Sequence, residues 1–270
     1  MSRKVPNFQQ PTTDHTADVV IAGSDENDTR AQQLALSTNL PVVQGDAIAT
    51  ARYCLLWIND KLVLRDKTTS QINDICVDFS EGRQRHRQQF GGGQGQPLAR
   101  AVNIKGSHQP HICDGTGGLG ADAYVFATLG AEVTILERSI VVHALLADGL
   151  RRARDHPETS AIAQRITAYP ADTCKLPDSW PCNTKPAIIY LDPMYPRTRK
   201  NAAAKKGMQT LQRLLPHDTD ERALLNAAIS TATQRVVVKR PLKASPLPGP
   251  TCVGFIRSPN TRYDLYRGRG

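Results

Sequence analysis

The sequence contains no run of 18 apolar residues, so no transmembrane helix is expected. Residues 1–17 are polar, lack the apolar core of a secretory signal and read as a loose leader. The six cysteines (Cys54, Cys76, Cys113, Cys174, Cys182, Cys252) are scattered, and no two share C-x-x-C spacing. That argues against a zinc site or a disulfide framework and for small buried thiols in a reducing cytoplasm. Aromatics are scarce, at 5% of 270 residues. With 40% apolar and 22% charged residues, the composition is globular rather than collagen-like, coiled-coil or disordered. Acids are the minority charge: 34 Lys+Arg against 25 Asp+Glu leave +9. Such a surplus suits an acidic partner, nucleic acid before an anionic membrane, but a solvated basic surface gives the same total.

Four regions follow from the pattern. After the leader, residues 18–80 read as a small α/β domain. It holds a strand near 17–23, a helix after Ser24, a hairpin over 54–65 turning at Asn59-Asp60, and a strand at 75–79. Residues 81–110 read as a basic, glycine-rich connecting segment, suited either to a linker or to phosphate contact. From 111 to 270 strands and helices alternate. Strands are expected near 111–114, 132–137, 187–192 and 235–240, with a strand and loop over 165–172 and a closing hairpin. Helices are expected over 119–130, 139–155, 203–215 and 218–232. The alternation argues a doubly wound, mostly parallel sheet with an antiparallel C-terminal edge.

Asp114-Gly115-Thr116-Gly117-Gly118-Leu119-Gly120 joins the first strand of this unit to its first helix and satisfies G-x-G-x-x-G. Glycine lets the backbone approach a ligand, and the helix N-terminus favours an anionic or polar group. Glu137, ending the next strand, suits the two hydroxyls of a ribose. Asp172 and Thr173, after the third strand, suit an adenine edge or a solvated turn. A dinucleotide and S-adenosylmethionine (SAM) both fit. Asp114 leans toward SAM, whose methionyl part is positively charged.

Tyr190-Leu191-Asp192-Pro193-Met194-Tyr195-Pro196 follows the fourth strand. Asp192-Pro193-Met194-Tyr195 resembles the D/N-P-P-Y/F tetrapeptide of enzymes that methylate exocyclic amines of bases, with Met194 in place of the second proline. The amine lone pair is delocalised into its ring. A carboxylate (Asp192) and a carbonyl (Pro193) that accept its protons favour a pyramidal nitrogen aimed at a methyl donor. Tyr195 suits stacking on an extruded base. The displacement requires no metal. Basic clusters flank this edge: Arg197, Arg199 and Lys200 after the motif, Lys239 and Arg240 at the last parallel strand, and Arg85 and Arg87 in the connecting segment. They shift the surplus charge toward RNA or DNA contact. Two other classes fit single features: a nicotinamide-dependent oxidoreductase the glycine loop, and a non-catalytic RNA-binding module the basic clusters.

Taken together, Val77-Asp78-Phe79, Arg85-His86-Arg87, Phe90–Gly95, Asp114–Ala123, Leu136-Glu137-Arg138, Tyr190–Pro196 and Arg235–Pro241 resemble the bacterial small-subunit (16S) ribosomal RNA guanine-N2 methyltransferases of the RsmJ type. The resemblance implies a cytoplasmic class I (Rossmann-like) SAM-dependent enzyme, acting on 16S rRNA or the small subunit, with N2-methylguanine as product. An adenine-N6 enzyme is the nearest rival, because the tetrapeptide serves both amines. By resemblance, Ala121, Asp122, Glu137, Arg138, Asp172, Thr173 and Asp192 contact the cofactor. The sequence departs from the family at Ala121, where arginine is frequent, and at Asp172-Thr173, where relatives can have two serines.

Overall fold

A computed structural model describes residues 18–69, 73–80, 93–193, 206–215 and 220–270. Twelve strands form two sheets among these residues. The first sheet has the order β2-β1-β3-β4-β5. Its strands are β1 (Val19–Ala22), β2 (Val42–Val43), β3 (Tyr53–Ile58), β4 (Lys61–Asp66) and β5 (Asn73–Ile75). Helices α1 (Thr29–Thr38) and α2 (Asp46–Thr50) lie between them in sequence. Asp28 caps α1 by accepting the Ala31 N–H. Asn59 and Asp60 both adopt positive φ, the backbone a two-residue hairpin with the native twist requires.

The expected strand at 75–79 is corrected: β5 ends at Ile75. The Val77 carbonyl is taken by the Arg152 guanidinium, and the Asp78 carboxylate accepts the Ser80 N–H. Residues 76–79 therefore form a connector without a ladder, yet Val77 and Phe79 are buried. The connecting segment also contains a short helix that the sequence reading did not anticipate, α3 (Pro97–Ala101), which buries Leu98, Ala99 and Ala101. Its signal was Pro97 at the first turn followed by small and apolar residues.

The second sheet has the order β11-β12-β10-β9-β6-β7-β8. It contains β6 (Ile112–Asp114), β7 (Val133–Leu136), β8 (Ile166–Tyr169), β9 (Ile188–Leu191), β10 (Arg235–Pro241), β11 (Gly254–Arg257) and β12 (Thr261–Arg267). Strands β8, β7, β6, β9 and β10 run parallel, while β12 is antiparallel to both β10 and β11. The expected sheet and antiparallel C-terminal edge are both present. Helices α4 (Ala121–Thr128), α5 (Ile140–Asp155), α6 (Ser160–Ala163), α7 (Lys206–Leu214) and α8 (Glu221–Thr231) complete the unit. Ser139 caps α5 as expected. Strand β9 is buried along its whole length, as befits the middle of a parallel sheet covered on both faces.

One hydrophobic core joins the two sheets: Val19, Ile21, Leu55 and Leu64 share a cluster with Ile112, Leu145 and Tyr190. The junction runs along α5. Asp148 accepts the Leu62 N–H at 3.0 Å and pairs with Arg152, which also pairs with Asp78. Among the described residues, no helix is long and apolar enough to cross a membrane.

Candidate active site

The parallel strands end at one edge, where side-chain alternation and register decide what meets there. Asp114 pairs with Tyr190, Tyr190 with Val237, Lys239 with Tyr263, and Tyr263 with Ile256. Directly paired residues share a face, as do residues two apart. Asp114, Tyr190, Asp192, Lys239, Tyr263 and Ile256 therefore line one face in a row. Arg240, one residue beyond Lys239, points to the other.

The glycine loop follows β6. The Gly115 N–H donates to the Tyr190 carbonyl (2.9 Å), and the Gly117 N–H donates to the Leu136 carbonyl (3.0 Å). The loop thus lies across the ends of β9 and β7. A β-carbon on Gly117 would stand 2.1 Å from Ile135 Cγ2. Gly120 adopts φ +75° at the start of α4, a conformation that disfavours any residue with a side chain.

Glu137 is buried and sits beside this loop. One carboxylate oxygen accepts the Gly118 N–H (2.7 Å) and the other the Ser139 N–H (2.7 Å). Both oxygens are thereby held beside the loop, which orients the carboxylate. Arg138 follows it, half-buried. Asp172 caps a 3-10 turn (Thr173–Lys175) through the Cys174 N–H. The buried Thr173 hydroxyl donates to the Gly115 carbonyl at 2.5 Å, tying the third strand's exit to the glycine loop. These residues and the loop present carboxylates and a backbone without side chains to block close approach. That is the donor set a nucleoside with a cationic tail needs, so the residues fit SAM.

Charged groups concentrate around Asp192. Its N–H donates to the Thr116 hydroxyl (2.6 Å), so the start of the Asp-Pro motif is fastened to the glycine loop. Lys239 Nζ donates to Asp192 Oδ2 and Asp122 Oδ2, both at 2.8 Å. The buried Tyr190 hydroxyl donates to the same Asp122 oxygen at 2.7 Å. Asp114 is 3% exposed, and its Oδ1 accepts the Thr116 N–H (3.2 Å). Burial first, then the neighbouring carboxylates of Asp122 and Asp192, push the Asp114 carboxyl up to about 8. Crowding by protein and Asp122 also raises Asp192, while Lys239 opposes the shift; the Asp192 side chain remains 42% accessible. Desolvation alone would lower the Lys239 ammonium, but Asp122 and Asp192 outweigh it and hold it above the usual lysine range.

Ala121 and Asp122 open α4 beside the loop, and Pro193 is buried directly after Asp192. Tyr195, Arg85, Arg87, Arg197, Arg199 and Lys200 lie outside the described residues. Lys239 and Arg240, adjacent in sequence, part company. Lys239 joins the carboxylates, while Arg240, 2% exposed, bonds the Ser245 carbonyl and Glu221. Sequence reasoning missed Thr116 and Tyr190, although both stand inside its motifs. Their roles depend on register between strands distant in the chain.

Comparison with known proteins gives the family. A family model described as "Putative SAM-dependent methyltransferase" matches residues 37–268. The chain is 42% identical to ribosomal RNA small subunit methyltransferase J of Hydrogenovibrio crunogenus, over 88% of this chain and 90% of that protein. It is 39% identical to the protein of the same name from Chromohalobacter salexigens, over 93% and 96%. A crystal structure of a SAM-dependent methyltransferase from Neisseria gonorrhoeae superposes with a TM-score of 0.72 at 33% identity, covering 93% of this chain and 96% of that one. Likeness of this extent, with the SAM-fitting residues brought to one sheet edge, shows that the chain belongs to the SAM-dependent methyltransferases named ribosomal RNA small subunit methyltransferase J.

Proposed function

We propose that this enzyme methylates the exocyclic N2 amine of a guanine in 16S rRNA. The carrying observation is the position of Asp192, fastened by its N–H to Thr116 of the glycine loop and by its carboxylate to Lys239. Bound SAM supplies a methyl group on a sulfonium, whose carbon–sulfur bond breaks with its electron pair left on sulfur. The protein's task is then orientation and charge. Asp192 accepts one amine proton as a hydrogen bond, and the Pro193 carbonyl is assigned the second, which directs the nitrogen lone pair. The raised Asp192 carboxyl suits it to receive the proton the amine sheds as the N–C bond forms. Lys239 keeps two neighbouring carboxylates compatible with one site.

The test is methylation of small subunits from cells lacking the enzyme, read by mass spectrometry of nucleosides. N2-methylguanine is expected, and Asp192→Ala is expected to lower kcat by about 10²–10⁴-fold with the fold intact. N6-methyladenine as the product, or full turnover by Asp192→Ala, overturns the assignment.

A further inference from the structure

The row of side chains on the active face continues past Lys239. Beyond it lies a cleft of about 320 Å³, a size at the lower end of small-molecule sites. Asp122 and Lys239 belong to both the cleft and the carboxylate cluster, and Lys239 Nζ is 2.8 Å from the Asp192 carboxylate. The cleft is therefore continuous with the reacting edge. Its walls are of two kinds. Pro97, Leu98 and Val125 are apolar, Tyr263 is aromatic, and Gln96, Ser258, Asn260 and Thr261 carry amide and hydroxyl groups.

A cleft lined by both apolar and hydrogen-bonding residues matches a heteroaromatic base that carries hydrogen-bonding groups on its edge. The hairpin joins β11 to β12, and β12 bears Tyr263 opposite Lys239, so the antiparallel edge of the sheet has a task beyond closing the core. We propose that this cleft receives the guanine extruded from RNA, with Tyr263 against its face and Ser258, Asn260 and Thr261 reading its edge. This rests on the guanine-N2 reading above. In this pose the base enters from the β12 side, which brings its amine to Asp192 past Lys239.

The variants Ser258→Ala and Asn260→Ala change only the turn, and Tyr263→Phe keeps the ring while removing its hydroxyl. The experiment measures small-subunit methylation kinetics beside SAM affinity by calorimetry on each full-length variant. Losing one edge contact is expected to raise KM for the RNA substrate by about three- to tenfold in Ser258→Ala or Asn260→Ala. SAM affinity should stay as in the wild type. Unchanged kinetics in all three variants overturn the proposal. So does weakened SAM binding with an unchanged RNA KM, which would make the cleft the seat of the methionyl tail. Wild-type protein that forms no N2-methylguanine overturns the underlying reading and this proposal with it, whereas a normal wild type with normal variants overturns the cleft alone.

Discussion

Three carboxyl groups, Asp114, Asp122 and Asp192, gather around one ammonium, that of Lys239. One cation cannot neutralise three anions in a buried hollow, so the least accessible carboxyl, Asp114, holds its proton to about pH 8. This has a direct consequence for stability. A carboxyl raised in the folded state binds a proton that the unfolded chain releases near pH 4, so it destabilises the fold progressively between about pH 4 and 8. Asp114→Asn removes that burden. Its melting temperature is expected to gain on the wild type as pH rises from 5 to 8, measured by paired thermal scans. A variant-minus-wild-type difference that stays constant or falls over that range would contradict the assignment. The same excess of negative charge suits the hollow to a ligand with positive charge, as the methionyl end of SAM carries.

The elements around the site are short, and their exits are fixed by contacts between chain segments far apart in sequence. Thr173 bonds Gly115, Gly117 bonds Leu136, and Asp192 bonds Thr116. A methyl group added to Gly117 would have to displace Ile135 and approach the Leu136 carbonyl. Gly117→Ala is therefore expected to cost about 1–3 kcal/mol of stability by denaturant titration and to weaken SAM binding by lifting the loop from the strand ends. The strand-to-helix glycine loop, the capped helix α5 and the apolar run of β9 were legible in the sequence because each is a local pattern. Glu137 was legible for the same reason: it ends a strand directly after the loop's helix. What Lys239 touches was not legible. Nothing local separates it from Arg240, and only strand alternation sends one to the carboxylates and the other to Glu221. Nor was the end of β5 legible, because Val77 and Phe79 alternate as a strand would. A guanidinium on α5, 75 residues away, claims the carbonyl at Val77.

At the scale of the molecule, the first sheet is anchored to the catalytic one by polar and apolar ties. Asp66 on β4 is buried and accepts hydrogen bonds from Thr68, Thr210 and Arg213, the last two on α7. Burial alone would raise its carboxyl, but those partners outweigh it and bring it to about 2. Asp148 on α5 holds the β4 backbone at Leu62. Val77 lies against Gly149, where a β-carbon would stand 2.4 Å from Val77 Cγ1, and Phe79 stacks on Tyr124 with ring centroids 4.6 Å apart. Losing the burial of Val77 and Phe79 alone forfeits about 1.5–3 kcal/mol each, set against a total stability of about 5–15 kcal/mol for a typical protein. The loss grows once Leu55 and Leu64 are withdrawn from the shared core. Deleting residues 1–80 is accordingly expected to leave a chain with no cooperative melting transition, while the intact protein melts in a single calorimetric step with matching van't Hoff and calorimetric enthalpies. Two resolved transitions in the intact protein, or a sharp melt of the shortened one, would show that the sheets fold independently and that the N-terminal region serves the enzyme otherwise than by completing its core.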